Sequence, residues 1–330
     1  MTSRLFSRRR VLTGAAALTT AAILPRASLG ADWRPTETVR LIVPAAPGGT
    51  TDVMGRLLAV HLQKAWGQSA VVENRSGGGG MNGTDQLARA APDGYTIGML
   101  ETSTVLHKWL HKAVPFDITA DFAPIALIAR SALILFTHPS LPATDLTQLI
   151  ALARASPGAL QVGTPGVGTP HYLTAALLNH RAKVDIAPLS YRGTAPALND
   201  LVGGHVKMIW AAPVAVMPFV GTGQVKALAT ASAQRLGTLP QLATVAEQGL
   251  PGFELELWFG MAAPARTPPA IVESYQALLR EIASERHVQA RIEAQSFRID
   301  FRDHVAFRAM IVREHTRLGE AIRAAGIGPT

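Results

Sequence analysis

Leu41-Ile42-Val43-Pro44-Ala45-Ala46-Pro47-Gly48-Gly49-Thr50-Thr51-Asp52 carries an apolar strand into a glycine turn and then into a helix. A second stretch repeats the plan: Val71-Val72-Glu73-Asn74-Arg75-Ser76-Gly77-Gly78-Gly79-Gly80-Met81-Asn82-Gly83-Thr84. Glycine lets the main chain come close to a ligand, and the free N–H groups at the start of the following helix favour an anion. Two such turns on neighbouring strands of a parallel sheet open at its carboxyl edge, where α/β folds bind ligands. The chain reads as a device for holding something small and negative.

Outward from these turns, short apolar runs alternate with helical stretches, the pattern of a mainly parallel sheet covered on both faces. Strands are expected over 39–43, 70–72, 96–100, 125–128, 134–137, 161–163, 186–189, 206–210, 226–230 and 254–261. Helices are expected over 52–65, 82–90, 145–155, 171–179, 195–202, 213–221, 268–284, 287–295 and 303–325. No internal repeat and no low-complexity linker interrupts the pattern.

A chain of 330 residues exceeds one compact core, so two lobes are expected. An apolar content of 48% with 16% charged residues marks a folded globular protein. The formal net charge of +8 is concentrated at the amino end, where Arg4, Arg8, Arg9, Arg10 and Arg26 stand without an acid. The remainder is mildly basic and has no Lys/Arg block, so nucleic acid is not an expected partner. Ser7-Arg8-Arg9-Arg10-Val11-Leu12 resembles a twin-arginine export motif, and an apolar run follows over 14–24. Ser28-Leu29-Gly30 supplies small residues for cleavage before Ala31, so 1–30 reads as a signal peptide. The run is too short and too alanine-rich for a membrane span. With no cysteine, neither a disulfide nor a lipid-modified amino-terminal cysteine can form. A monomer free in the periplasm is expected.

The order of these pieces resembles the Bug family, the periplasmic solute receptors of tripartite tricarboxylate transporters. The resemblance rests on the proline, two glycines and Asp52 of the first turn, then Glu73-Asn74-Arg75 with its glycine run, then Pro92-Asp93-Gly94-Tyr95-Thr96. It continues through Asp121-Phe122-Ala123-Pro124-Ile125, the run from Gly163 to His171, Tyr191 to Ala197, Pro251-Gly252-Phe253 and Trp258-Phe259-Gly260. It implies a two-lobed α/β periplasmic-binding-protein fold of type II character, with the ligand in the interlobe cleft. It places the first lobe at 32–133 plus 252–330 and the second at 134–251, with hinge closure on binding. The implied ligand is a small carboxylate, and the implied partners are the membrane subunits of a tripartite transporter.

Candidate contacts follow from turn chemistry and from the resemblance together. In the first loop Ala45 and Ala46 leave main-chain N–H groups reachable, Gly48 and Gly49 permit approach, and Thr50 or Thr51 caps the helix near Asp52. Thr102 and Ser103 match hydroxyls the family uses near its ligand. In the loop over 164–171, Thr164 and Thr169 are the expected donors, Gly168 allows approach, and His171 is a further candidate. Tyr191 is placed at the cleft rim, and the neighbouring Arg192 is read as a structural ion pair. Ala211 stands near where many relatives carry Asp or Asn, and Ala45 stands where the family usually has an aromatic. Both departures favour a bulkier body without an amine, an aromatic or dicarboxylic acid. Glu73-Asn74-Arg75 is read as a brace for the glycine loop.

Three other readings compete. Gly78, Gly80 and Gly83 fit G-x-G-x-x-G after a strand, with Glu101 where a ribose-binding acid would sit, which would suit an exported dinucleotide-dependent oxidoreductase. An orphan receptor presenting its ligand to a sensor kinase is the second. His107 and His111, spaced i, i+4, could share a metal, but no third ligand stands beside them and a solvated helix face is expected. There is no G-x-S-x-G. A binding protein without catalysis, cofactor or metal is the expectation.

Overall fold

The computed structural model describes residues 33–329. The signal peptide expected over 1–30 lies outside the described residues. In chain order the elements begin with β1 (Val39–Val43), α1 (Thr50–Trp66), β2 (Ala70–Asn74), a 3-10 turn (Gly78–Gly80) and α2 (Met81–Ala88). Next come β3 (Thr96–Glu101), α3 (Thr102–Leu110), β4 (Phe122–Ala132), β5 (Ile134–Thr137) and α4 (Leu146–Ala155). The middle holds β6 (Gln161–Thr164), α5 (Pro170–Ala182), β7 (Ala187–Ser190), α6 (Thr194–Val202), β8 (Met208–Ala211), α7 (Pro213–Gly221) and β9 (Lys226–Thr230). The chain closes with β10 (Glu256–Pro264), α8 (Pro269–Ser284), α9 (Arg286–Ala294), β11 (Phe297–Asp303) and α10 (His304–Ala324).

These strands form two sheets, in the orders β11-β4-β10-β3-β1-β2 and β7-β6-β8-β5-β9. Both are mixed. In the first, β1 pairs parallel with β2 and β3, whereas β10 runs antiparallel to β3 and β4, and β11 antiparallel to β4. In the second, β6 pairs parallel with β7 and β8, and β5 is antiparallel to β8 and β9. The parallel region of each sheet supplies the βα turns, and the antiparallel region carries the two passages of chain between sheets. One passage is the single residue Leu133 between β4 and β5, and the other lies between β9 and β10.

Two elements were not among the sequence expectations. Thr102-Ser103-Thr104-Val105 opens α3, yet β-branched side chains there favour strand over helix. Phe297, Ile299 and Phe301 alternate with charged residues along β11, an edge strand with period-two patterning. The turn into it is made at Ser296, which takes φ +59 without a glycine to mark it.

Burial explains the strand runs. Leu41, Ile42, Val43, Ile125, Leu127, Phe136 and Trp210 are all essentially inaccessible, as expected of strands covered on both faces. One apolar cluster runs from Leu41 and Met99 in the first sheet to Leu135 and Trp210 in the second. The sheets therefore share buried contacts at the crossing, and the turns on their other edges are left to face one another.

Candidate ligand-binding site

A cavity of about 490 Å³ lies between the two sheets. Its walls are the turns that follow β1, β2 and β3 on one side and β6 and β7 on the other. At each turn the chain passes from a strand's carboxyl end into a helix, so α1, α3, α5 and α6 all begin at the cavity wall. Gly49 caps α1 and Gly193 caps α6 without a side-chain bond, so the first amides of these helices carry no side-chain acceptor. Unsatisfied N–H groups at a helix start hold partial positive charge. Two such ends aimed at one volume make an anion site without a lysine.

The first loop is held in shape from below. The Gly48 N–H donates to Asp52 Oδ2 over 2.9 Å, and Arg56 Nε donates to the same oxygen over 2.9 Å. Asn74 Nδ2 donates to Asp52 Oδ1 at 2.9 Å and to the Ala45 carbonyl at 3.0 Å. Desolvation pushes the Asp52 carboxyl up, but the bonds from Arg56, Gly48 and Asn74 outweigh it and leave it below the usual range. Asn74 thus braces the first loop, whereas Glu73 pairs with Arg40 and Arg75 and is held down at about 2, chiefly by the Arg40 bond.

Of the expected contacts, Ala45, Ala46, Gly49, Thr50, Thr102, Thr169, His171 and Tyr191 line the cavity. Gly48, Asp52, Ser103, Thr164, Gly168 and Ala211 do not. Asp52 and Gly48 bond each other, and Ser103 donates to Glu101 Oε1 over 2.7 Å. Thr164 and Ala211 are wholly buried at strand ends, behind the wall. Gly168 packs on α3, where a Cβ would lie 2.3 Å from His111 Nε2. Thr169 lines the wall, yet its hydroxyl donates to the Gly166 carbonyl at 2.7 Å and accepts from the Tyr172 N–H at 3.3 Å. Its proton is committed to the loop. Thr51 does not cap α1 either; it donates to Glu101 Oε2. Tyr191 presents its ring, while its hydroxyl donates to Asp200 over 2.8 Å and is pushed up to about 12, mainly by desolvation.

Two further corrections concern charge. His107 is buried, not solvated, and its Nε2 donates to the Gly79 carbonyl at 3.1 Å. Among the described residues no group of three or more His, Cys, Asp or Glu side chains could hold a metal ion. Arg192 is exposed on the cavity rim and forms no ion pair among the described residues, contrary to the structural pairing expected of it. Glu101, Ser76 to Gly80 and the strand segment Leu257 to Phe259 complete the wall and were absent from the expected contacts.

A family model described as the tripartite tricarboxylate transporter family receptor matches residues 54–327. The chain belongs to that receptor family. Protein BugT of Bordetella pertussis is 35% identical over 271 residues, which is 82% of this chain and 83% of that protein. An R. palustris protein solved with adipate superposes with a TM-score of 0.87 at 32% identity, over 91% of this chain and 100% of that one. MatC from Rhodopseudomonas palustris, solved with bound malate, gives a TM-score of 0.83 at 30% identity, over 87% and 99% of the two chains. The Bug resemblance and the periplasmic-binding-protein fold are thereby established, and this family is one of solute receptors, not of enzymes. In the receptor, the G-x-G-x-x-G glycines serve packing as well as approach: a Cβ on Gly83 would meet the Arg75 carbonyl at 2.8 Å and Pro44 Cα at 2.8 Å. The dinucleotide reading and the sensor-kinase reading are not favoured by this kinship.

Proposed function

We propose that this receptor captures a small carboxylate in the cavity between its sheets and delivers it to the membrane subunits of a tripartite transporter, making and breaking no bond. The observation that carries this reading is the convergence of α1, α3, α5 and α6 on one cavity through turns rich in glycine and alanine. Main-chain amides suit a carboxylate, and Arg192 at the rim adds one charged donor that a second carboxylate can reach. The volume of about 490 Å³ falls in the usual range of small-molecule sites. Adipate and malate in the two solved relatives are small dicarboxylates, which supports the same ligand class here.

The division into lobes at 32–133 plus 252–330 and 134–251 follows the two sheets, with the crossings as hinge. Export and cleavage before Ala31 would place the mature protein in the periplasm. Thermal-shift screening of aliphatic and aromatic carboxylates against sugars, nucleotides and amino acids tests the ligand class. Binding at a hundredfold excess over Kd stabilises by about 2.7 kcal/mol, a shift of a few degrees in Tm. A sugar that shifts the transition while every carboxylate leaves it unmoved would refute the anion site.

A further inference from the structure

Glu101 is the only acidic residue on the cavity wall among the described residues. It ends β3 and stands at the N-cap of α3, partly buried, and its carboxyl accepts from Ser103 Oγ at 2.7 Å and from Thr51 Oγ1. These two partners are neutral hydroxyls, and the carboxyl also accepts from the Thr104 main-chain N–H in a capping box at the start of α3. The glycine loop lies directly over it, since a Cβ on Gly80 would come 3.5 Å from Oε1. A site walled by helix starts for an anion thus holds a carboxyl of its own, and two carboxylates in contact cannot both stay ionised.

The surrounding charges do not neutralise it. On α1, Asp52 and Arg56 pair with each other. Beside the glycine loop, Glu73 takes Arg40 and Arg75. On β10, Glu256 faces Arg130 and Arg298. On α3 burial holds His107 near 4, and just past its end burial lowers His111. Across the cavity stand His171, held near 4 by burial, and the exposed Arg192 on the opposite wall. Desolvation pushes Glu101 above the usual carboxylate range, and the Thr51 and Ser103 hydroxyls only partly oppose it.

We propose that Glu101 meets the ligand as a carboxylic acid, donating its O–H to a ligand carboxylate, so that capture of the anion takes up one proton. The inference rests on the carboxylate reading above and adds the residue that couples it to pH. The balance is simple: ionised Glu101, one solvent proton and a ligand carboxylate give a single hydrogen-bonded acid–carboxylate pair. Release returns the proton to solvent. A carboxyl poised this way also disfavours ligands that offer only donors at this end.

Isothermal titration calorimetry of the full chain tests it, with whichever of adipate, malate or benzoate gives the largest thermal shift as probe. Titrations at one pH in two buffers of different ionisation enthalpy read proton uptake directly. Across about pH 6 to 8 these carboxylates stay ionised. There the wild type should take up as much as one proton and lose affinity with rising pH, by at most about tenfold per unit. Glu101→Gln, which keeps a donor and removes the charge, should bind with a flat pH profile and no Glu101-dependent uptake. Binding by the wild type without proton uptake overturns the proposal alone. So does a folded Glu101→Gln protein that has lost the probe, since Glu101 would then be needed as an acceptor. If no carboxylate binds the wild type, the proposal and the carboxylate reading fall together.

Discussion

Asp52 shows what a single position conceals. Its place after Gly48-Gly49-Thr50-Thr51 marks a helix start, and the sequence supports an anion-binding turn there. The carboxylate is nonetheless 2% exposed and faces inward, where it receives Gly48, Arg56 and Asn74. Whether an acid at such a position meets the ligand or props the loop depends on Asn74, which arrives from the next strand. That partner is invisible in a local reading. Asp52→Asn should therefore destabilise the fold by about 1–3 kcal/mol, the cost of losing a charged acceptor for several buried donors. Because the native carboxyl lies below its usual range, its contribution is complete above the unfolded value and disappears as pH falls through the folded one. Urea unfolding of both proteins at neutral pH and in acid should show their difference shrinking. An unchanged difference would remove Asp52 from the brace.

Among the elements, turns announced by glycine and proline were legible and turns made by other residues were not. The strand ends at Val43 and Thr164 and the helix starts beyond them followed from Gly48-Gly49 and Gly166 to Pro170. The helix α3 did not, because Thr102 to Val105 resemble a strand, and its side chains obtain helix through contacts from elsewhere: Thr102 Oγ1 accepts from the Trp258 N–H at 2.9 Å. Hidden with α3 were the burial of His107 and the partners of the Glu101 carboxyl. The loop before α5 carries a second lesson, since Thr169 was legible as a donor but its target was not. Its hydroxyl closes the loop on Gly166 and caps the helix at Tyr172. Thr169→Ala should thus cost about 0.5–2 kcal/mol of stability, and Thr169→Ser should restore most of it. Chemical denaturation checks the first effect. Ligand calorimetry on the same variants separates it from a direct contact, which would instead appear as lost affinity at unchanged stability.

At the scale of the whole molecule, the two-sheet division was legible while the closeness of the two cavity walls was not. They meet where side chains are missing: a Cβ on Gly79, at φ +64, would sit 2.6 Å from the Val167 carbonyl of the other wall. A Cβ on Gly168, at φ +86, would fall between His111 and His107. The contact covers His107, and burial holds both it and the cavity-lining His171 at about 4 against an ordinary 6.5. The sealed form binds fewer protons than any form that exposes these rings. Its stability is therefore complete above about 6.5 and declines as pH falls toward 4. Each ring exposed in full would be worth on the order of 3 kcal/mol at the acid end, which favours a form with the walls apart. Small-angle scattering should show a larger radius near pH 5 than near pH 7.5, with circular dichroism unchanged, as expected of hinge opening without unfolding. Gly79→Ala should expand the protein at both pH values, because its Cβ obstructs the same contact. A radius that stays constant in acid for the wild type would mean that the histidines remain sealed, and that the walls are held by something other than their exclusion of water.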